Sequence, residues 1–357
     1  MPGSLVGVPT HGRPAFTSQL YPAPVTTSVA LPVFVVSLLV TLAAAGVFAN
    51  GLDRMGVRLG MPEALLGLLT AIAADGPELA SAVAALAKGE RGVSFGVVAG
   101  SNVFNLAAMI GLTAVLAGRV RLPRAALLLE GTVAVLCTLS AAALVLDLIP
   151  PVVALALFAV VLVPYLVLLS RGPEVVRLLP ESSRIGRRLA RALAEREHAP
   201  TRTVGQELGA WRHVVELLAA VALIVAGSIG MVESALSLAD GWHVPRVLVG
   251  VLILAPLTSL PNAFTAVRLG LAHRGSALVS ETLNSNTINL VGGVVLPALL
   301  ISAASVSTSV RIDLGFLVGM TAGALVLLNG RRGLARAGGC VLIGVYAIFV
   351  AVQVIVR

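Results

Sequence analysis

The chain has 357 residues, of which 57% are hydrophobic and 12% charged, with a mean hydropathy of +0.98. A soluble domain needs a polar face on most of its elements, and this composition cannot supply one. The formal net charge of +8 comes almost entirely from arginine, and in so apolar a chain it reads as topogenic charge in cytoplasmic loops, not as a nucleic-acid surface.

Residues 1–28 are rich in Pro, Ser, Thr and Gly and read as a disordered extracytoplasmic tail. Apolar runs of the length needed to cross a hydrocarbon core then recur along the chain. They predict helices over 29–49, 62–88, 92–118, 124–147, 149–170, 214–239, 244–272, 276–303, 312–330 and 337–356. The first run ends in A-G-V-F-A-N, which has the small residues of a signal-peptide cleavage site. It is too long for a signal core and is read as a helix that stays. One long polar connection, 171–213, carries nine arginines from Arg171 to Arg212 interleaved with glutamates. It separates a first five-helix repeat, 29–170, from a second, 214–357. The expected fold is an all-α polytopic membrane protein with ten transmembrane helices.

Alternate connections hold the arginines: Arg54 and Arg58, then Arg119, Arg121 and Arg124, then the long loop, then Arg268 and Arg274, then Arg331, Arg332 and Arg336. The positive-inside rule places these in the cytoplasm and both termini outside. Five helices per half then give the halves opposite orientations. Cys137 and Cys340 sit in apolar runs without ligand spacing. No phosphate-binding loop, dinucleotide loop or HExxH zinc motif occurs, so no cofactor is expected.

The second and third predicted helices read A-D-G-P-E-L-A-S from Ala74 and G-S-N-V-F-N-L from Gly100. The seventh and eighth read T-S-L-P-N-A-F-T from Thr258 and N-S-N-T-I-N-L from Asn284. Pro77 aligns with Pro261 at an offset of 184 (261 − 77), and the same offset carries Ser101, Asn102 and Asn105 onto Ser285, Asn286 and Asn289. A proline plus S-N-x-x-N-L at one fixed spacing in each half marks an internal duplication. Inverted repeats with helices broken at corresponding positions place substrate sites near the midplane of secondary transporters.

Pro77 and Pro261 have no N–H, so each leaves a carbonyl one turn earlier unbonded, those of Ala73 and Leu257. A carbonyl freed within the bilayer must line a cavity. A charged side chain at the centre of a span costs roughly 2.5–3.5 kcal/mol. Asp75 and Glu78, three residues apart, share a helix face, and so do Ser101 and Asn105. The equivalent set in the second half is Ser259, Asn262, Thr265, Ser285 and Asn289. Converging carboxylate, hydroxyl, amide and carbonyl oxygens suit a hard cation. Small residues such as Gly96 and Gly100 read as close-packing positions, and Glu130, Glu216 and Glu233 as boundary or solvated residues.

These motifs resemble the two α-repeats of the sodium/calcium exchanger family, within the cation/calcium antiporter superfamily. T-S-L-P at Thr258–Pro261, P-E-L at Pro77–Leu79 and G-S-N-V-F-N at Gly100–Asn105 carry the likeness. The resemblance implies two inverted five-helix repeats and a cation site at Glu78, Ser101, Asn105, Thr258, Ser259, Ser285 and Asn289, with backbone oxygens from Ala71 and Ala255. The chain departs from the family pattern at two points. Ala74 and Asp75 stand where the family has two hydroxyl residues, and Asn262 where it has its second glutamate. Both acids therefore fall on one helix, and Asp75 and Asn262 join the expected site.

The function this implies is Ca2+ export driven by Na+ influx, with Ca2+/H+ or another cation/proton exchange as the alternative. The partners expected are inorganic cations and the bilayer of the cell membrane. An intramembrane protease is disfavoured, because paired acids would have to come from two helices; a transport-inactive cation sensor is the remaining alternative. Glu281, four residues before Ser285 and eight before Asn289, is an additional candidate at the inner mouth of the site.

Overall fold

The structure, a computed structural model, describes residues 27–58, 72–178, 210–300, 307–330 and 333–356. The first half holds α1 (Thr27–Arg58), α2 (Gly76–Ala87), α3 (Arg91–Ala117), α4 (Arg124–Val145) and α5 (Pro151–Leu178). The second holds α6 (Ala210–Gly241), α7 (Arg246–Thr258), α8 (Leu260–Leu271), α9 (Gly275–Leu300), α10 (Thr308–Leu328) and α11 (Arg336–Val356). Among the described residues eight helices are long and apolar enough to cross a membrane, and the α7–α8 pair, bent by 45°, makes a ninth span. The protein is an all-α polytopic membrane protein. Helix α2 is the described part of the second expected helix; positions 62–71, the first 26 residues and most of the long basic connection lie outside the described residues.

Helix starts follow the prolines. Pro123 and Pro245 immediately precede α4 and α7, and Pro151 opens α5. Proline's fixed φ suits a first turn, where its missing N–H costs nothing. Helix α10 begins four residues before its expected start, because the Ser307 hydroxyl caps it by accepting from the Val310 amide at 3.3 Å. Helix α5 runs on to Leu178 and α6 starts at Ala210, so helix extends into both ends of the stretch read as loop.

Without a hydrophobic drive between helices in lipid, close backbone packing fixes their positions. Gly92, Gly96 and Gly100 form a stripe on α3 facing Val247, Val251 and Ala255 of α7. A Cβ on Gly100 would lie 2.9 Å from the Val251 carbonyl oxygen and 2.9 Å from the Ala255 Cβ. The reading of Gly96 and Gly100 as packing positions therefore holds. Helices α1 and α6 run along each other, with Gly227 against Thr41 and Gly230 against Ser37. Their outer faces expose Val36, Leu39, Leu218 and Leu223, as lipid contact requires.

Among the described residues there are three π-helical segments, Val249–Leu254 in α7 and two at equivalent places after the last asparagine of the repeated motif, Leu106–Leu112 in α3 and Val291–Val295 in α9. Such segments are rare and frequent at functional sites. The end of α3 and the start of α11 are tied by a short antiparallel pair, β1 (Arg119–Val120) with β2 (Leu334–Ala335).

Of the three acids read as boundary or solvated, Glu216 stays partly exposed, whereas Glu130 and Glu233 are buried with partners. Glu130 is buried and accepts from the Tyr165 hydroxyl of α5 at 2.7 Å and the Ser280 hydroxyl of α9 at 3.1 Å. Glu233 is buried against Lys88 at 2.6 Å, and Glu216 meets Arg54 at 2.9 Å. Arg246 bridges Glu90 and Asp240 between α3, α6 and α7.

Candidate functional site

Both halves break at the same position. Asp75 has φ −79° and ψ −5°, Ser259 has φ −82° and ψ −4°, and the two are 184 residues apart (259 − 75). Each precedes by two residues a proline that cannot donate to the carbonyl of Ala73 or Leu257. The chain therefore turns at these two points, and the residues around the turns face each other across the repeat interface.

The contact there is an exchange between halves. The Asn262 amide donates to Asp75 Oδ1 at 2.7 Å, and the Ser259 hydroxyl donates to Glu78 Oε1. Position 75 corresponds to 259 and 78 to 262, so each half's first polar residue pairs with the other half's second. This is the pattern of a two-fold axis running between α2 and α8. Asp75 and Glu78 also act directly on each other.

Helices α3 and α9 close the site. Ser285 donates to Asp75 Oδ1 at 2.6 Å, and Asn289 donates to Glu78 Oε2 at 3.0 Å. Asn105 donates to Ser285 Oγ at 3.3 Å, and Ser101 donates to the Ala255 carbonyl at 3.4 Å. The Thr258 hydroxyl is turned onto the carbonyls of Leu254 and Ala255, at 2.8 and 3.2 Å. Ala255 O thus receives Ser101, Thr258 and the Ser259 amide, more donors than it has lone pairs. Ala71 lies outside the described residues.

Asp75, Glu78, Ser101, Asn105, Thr258, Ser259, Asn262, Ser285 and Asn289 are brought together, none more than 2% exposed. Thr265 is not among them; it is exposed and bonds its own helix at Pro261. Glu281 is half-buried beside the cluster, within electrostatic reach of Asp75 and Arg274.

Three oxygens in the cluster, Asp75 Oδ2, Asn105 Oδ1 and Asn289 Oδ1, are buried and accept no hydrogen bond. Leaving a buried acceptor unmet costs on the order of 1–3 kcal/mol, more for a charged one. Three such oxygens in a cluster with two carboxylates leave more acceptors than its donors fill, a chemistry that suits an alkali or alkaline-earth ion. Asn102 and Asn286, repeated at the 184-residue offset but not among the expected ligands, are buried at the same interface, each donating to the other's backbone carbonyl at 3.0 Å.

The pattern described as sodium/calcium exchanger protein matches residues 29–171 and 213–355. None of the curated proteins matches the chain in sequence. Among solved structures, the H+/Ca2+ exchanger CAX is similar with a TM-score of 0.64 at 17% identity, over 94% of this chain and 87% of that one. YfkE gives 0.61 at 16% identity, over 91% and 96%. The sodium-calcium exchanger NCX_Mj gives 0.56 at 17% identity, over 91% and 99%. At these identities the likeness concerns the fold.

Proposed function

Because the chain belongs to the sodium/calcium exchanger family, a family of membrane cation antiporters and not of enzymes, we propose that it exports Ca2+ in exchange for Na+ by alternating access around the Asp75–Glu78 centre. The observation that carries this reading is the buried cluster with three unmet acceptors, Asp75 Oδ2, Asn105 Oδ1 and Asn289 Oδ1. Glu78 is the principal divalent ligand, and Asp75 provides the second charge. Ser101, Asn105, Thr258, Ser259, Asn262, Ser285 and Asn289 supply neutral oxygens and Ala71 a backbone oxygen, and Ala255 adds its carbonyl only when the Ser101 and Thr258 hydroxyls turn from it to the ion. Two carboxylates match the charge of one Ca2+ or two Na+.

A second reading, exchange of Ca2+ for H+, is favoured by one particular arrangement. Asp75 and Glu78 are buried three residues apart on one half, so that a proton held by the pair relieves the same repulsion that a cation does. In either reading the two halves, 29–170 and 214–357, lie inverted in the cell membrane. The arginine-rich connections, 171–213 among them, are cytoplasmic, and the tail 1–28 and both termini are outside. Glu281 stands at the inner mouth and hands cations or protons to Asp75.

Purified protein in liposomes, loaded with Ca2+ under imposed Na+, K+ or H+ gradients, tests the assignment. Ca2+ flux driven by Na+ supports the first reading, and flux driven by H+ alone the second. Failure of every gradient to move Ca2+, or uptake by Glu78→Gln equal to the native protein, overturns both.

A further inference from the structure

We propose that Asn102 and Asn286 are positioning residues that fix which end of the Asn105 and Asn289 amides is turned toward the cation. The inference rests on the cation site proposed above and explains how that site selects its own polarity. A carboxamide is nearly symmetric in shape, with an acceptor at one end and a donor at the other. Nothing steric stops it turning over, and a turned amide would present N–H groups to a cation and repel it.

The hydrogen bonds remove this freedom in two steps. A backbone carbonyl only accepts, so the Asn286 side chain must give its Nδ2 to Asn102 O, which it does at 3.0 Å. Its Oδ1 is then committed to the other side, where Asn105 must meet it with Nδ2, at 3.1 Å. Asn105 Oδ1 is left pointing away, buried and without a partner. The mirror chain is built the same way. Asn102 gives Nδ2 to Asn286 O at 3.0 Å, its Oδ1 accepts from Asn289 Nδ2 at 3.2 Å, and Asn289 Oδ1 is left without a partner. Each relay crosses from one half to the other, so each half orients a ligand of its counterpart.

The two relays differ in their support. Asn289 is held additionally by Glu78 Oε2, which only accepts while the carboxylate is ionised. The other contact of Asn105 is the Ser285 hydroxyl, whose single hydrogen is given to Asp75. Asn105 therefore depends more on its relay, and Asn286 is the more sensitive of the two outer residues.

The test uses the full chain and Ca2+ as the probe, read by calorimetry in detergent. Partners behind metal ligands typically carry ten- to a hundredfold in affinity, and Asn286→Leu is expected to weaken Ca2+ binding by about that factor, more than Asn102→Leu does. Asn286→Asp keeps an acceptor toward Asn105, replaces the donor to the Asn102 carbonyl by a second acceptor and adds a carboxylate near the site. It is expected to bind Ca2+ no more weakly than the native protein, whereas a purely structural role for the Asn102–Asn286 pair requires it to fail as Leu does. Asn105→Asp has no wrong end. Its gain in affinity is expected to be about tenfold larger in the Asn286→Leu background than in the native one, where it meets Asn286 Oδ1. Equal gains in the two backgrounds, or native affinity in Asn286→Leu, would overturn the relay while leaving the cation site standing. Native Ca2+ affinity in Glu78→Gln would overturn the site itself and the relay with it.

Discussion

Exchanging the two departures that move a carboxylate, at positions 75 and 262, is the sharpest test of the site. Asp75 accepts from Asn262 at 2.7 Å and from Ser285 at 2.6 Å, fully buried. Asp75→Ser removes one of the two charges that would balance a divalent ion and strands two donors. Breaking a buried charge pair by removing one partner costs about 3–5 kcal/mol, which corresponds to roughly two to three and a half orders of magnitude in Ca2+ affinity. Adding Asn262→Glu then recreates across the axis the Ser259–Glu78 pair already present on the other side. The double variant is expected to recover to within about tenfold of native binding, about 1.4 kcal/mol. Calorimetric titration of Ca2+ into the native, single and double forms measures all three. A double variant that binds no more tightly than Asp75→Ser refutes the idea that charge is interchangeable across the repeat axis.

Three further outcomes follow from contacts already described. Protons and cations compete for the two buried carboxylates, so Ca2+ affinity should rise with pH and binding should release a proton; a flat profile between about pH 5.5 and 8.5 contradicts this. Glu281→Gln should slow transport and shift its dependence on internal pH or Na+ while leaving equilibrium Ca2+ affinity unchanged, and unaltered kinetics across an internal pH series would leave Glu281 without a role in transport. Gly100→Ala drives a methyl into the Val251 carbonyl and the Ala255 side chain. It should cost about 1–3 kcal/mol of stability, read as a fall in thermal midpoint in detergent; an unchanged midpoint would mean α3 and α7 are free to separate.

The centre was legible from sequence because its residues contradict their surroundings. Asp75, Pro77 and Glu78 stand out in an apolar run, and the 184-residue offset of the S-N-x-x-N motif ties the two halves together. Which face of a uniformly apolar helix turns inward was not legible. Lipid and protein interior are equally greasy, so no polar stripe marks the boundary. Glu130 was therefore read as solvated, although Tyr165 and Ser280 enclose it. Helix ends failed for a related reason. Apolarity reports the hydrocarbon layer, whereas α1 runs to Arg58 and α5 to Leu178, past the end of their apolar runs. The π-helical turns and the β1–β2 pair arise from contacts distant in sequence and leave no local mark.

The placement of both acids in the first half bears on how the transmembrane potential acts on the protein. Asp75 and Glu78 belong to the start of α2, whereas Ser259 and Asn262 give α8 only neutral oxygens at the corresponding positions. With one divalent cation between the acids the centre has no net charge, and its passage from one side to the other does no electrical work. Emptied, or holding a single monovalent ion, it is negative, and each uncompensated charge carried through 100 mV is worth about 2.3 kcal/mol. On the exchange proposed above, voltage would bear on a return stroke made with fewer than two monovalent ions and spare the neutral loaded one, and the force would fall on the half that carries the carboxylates.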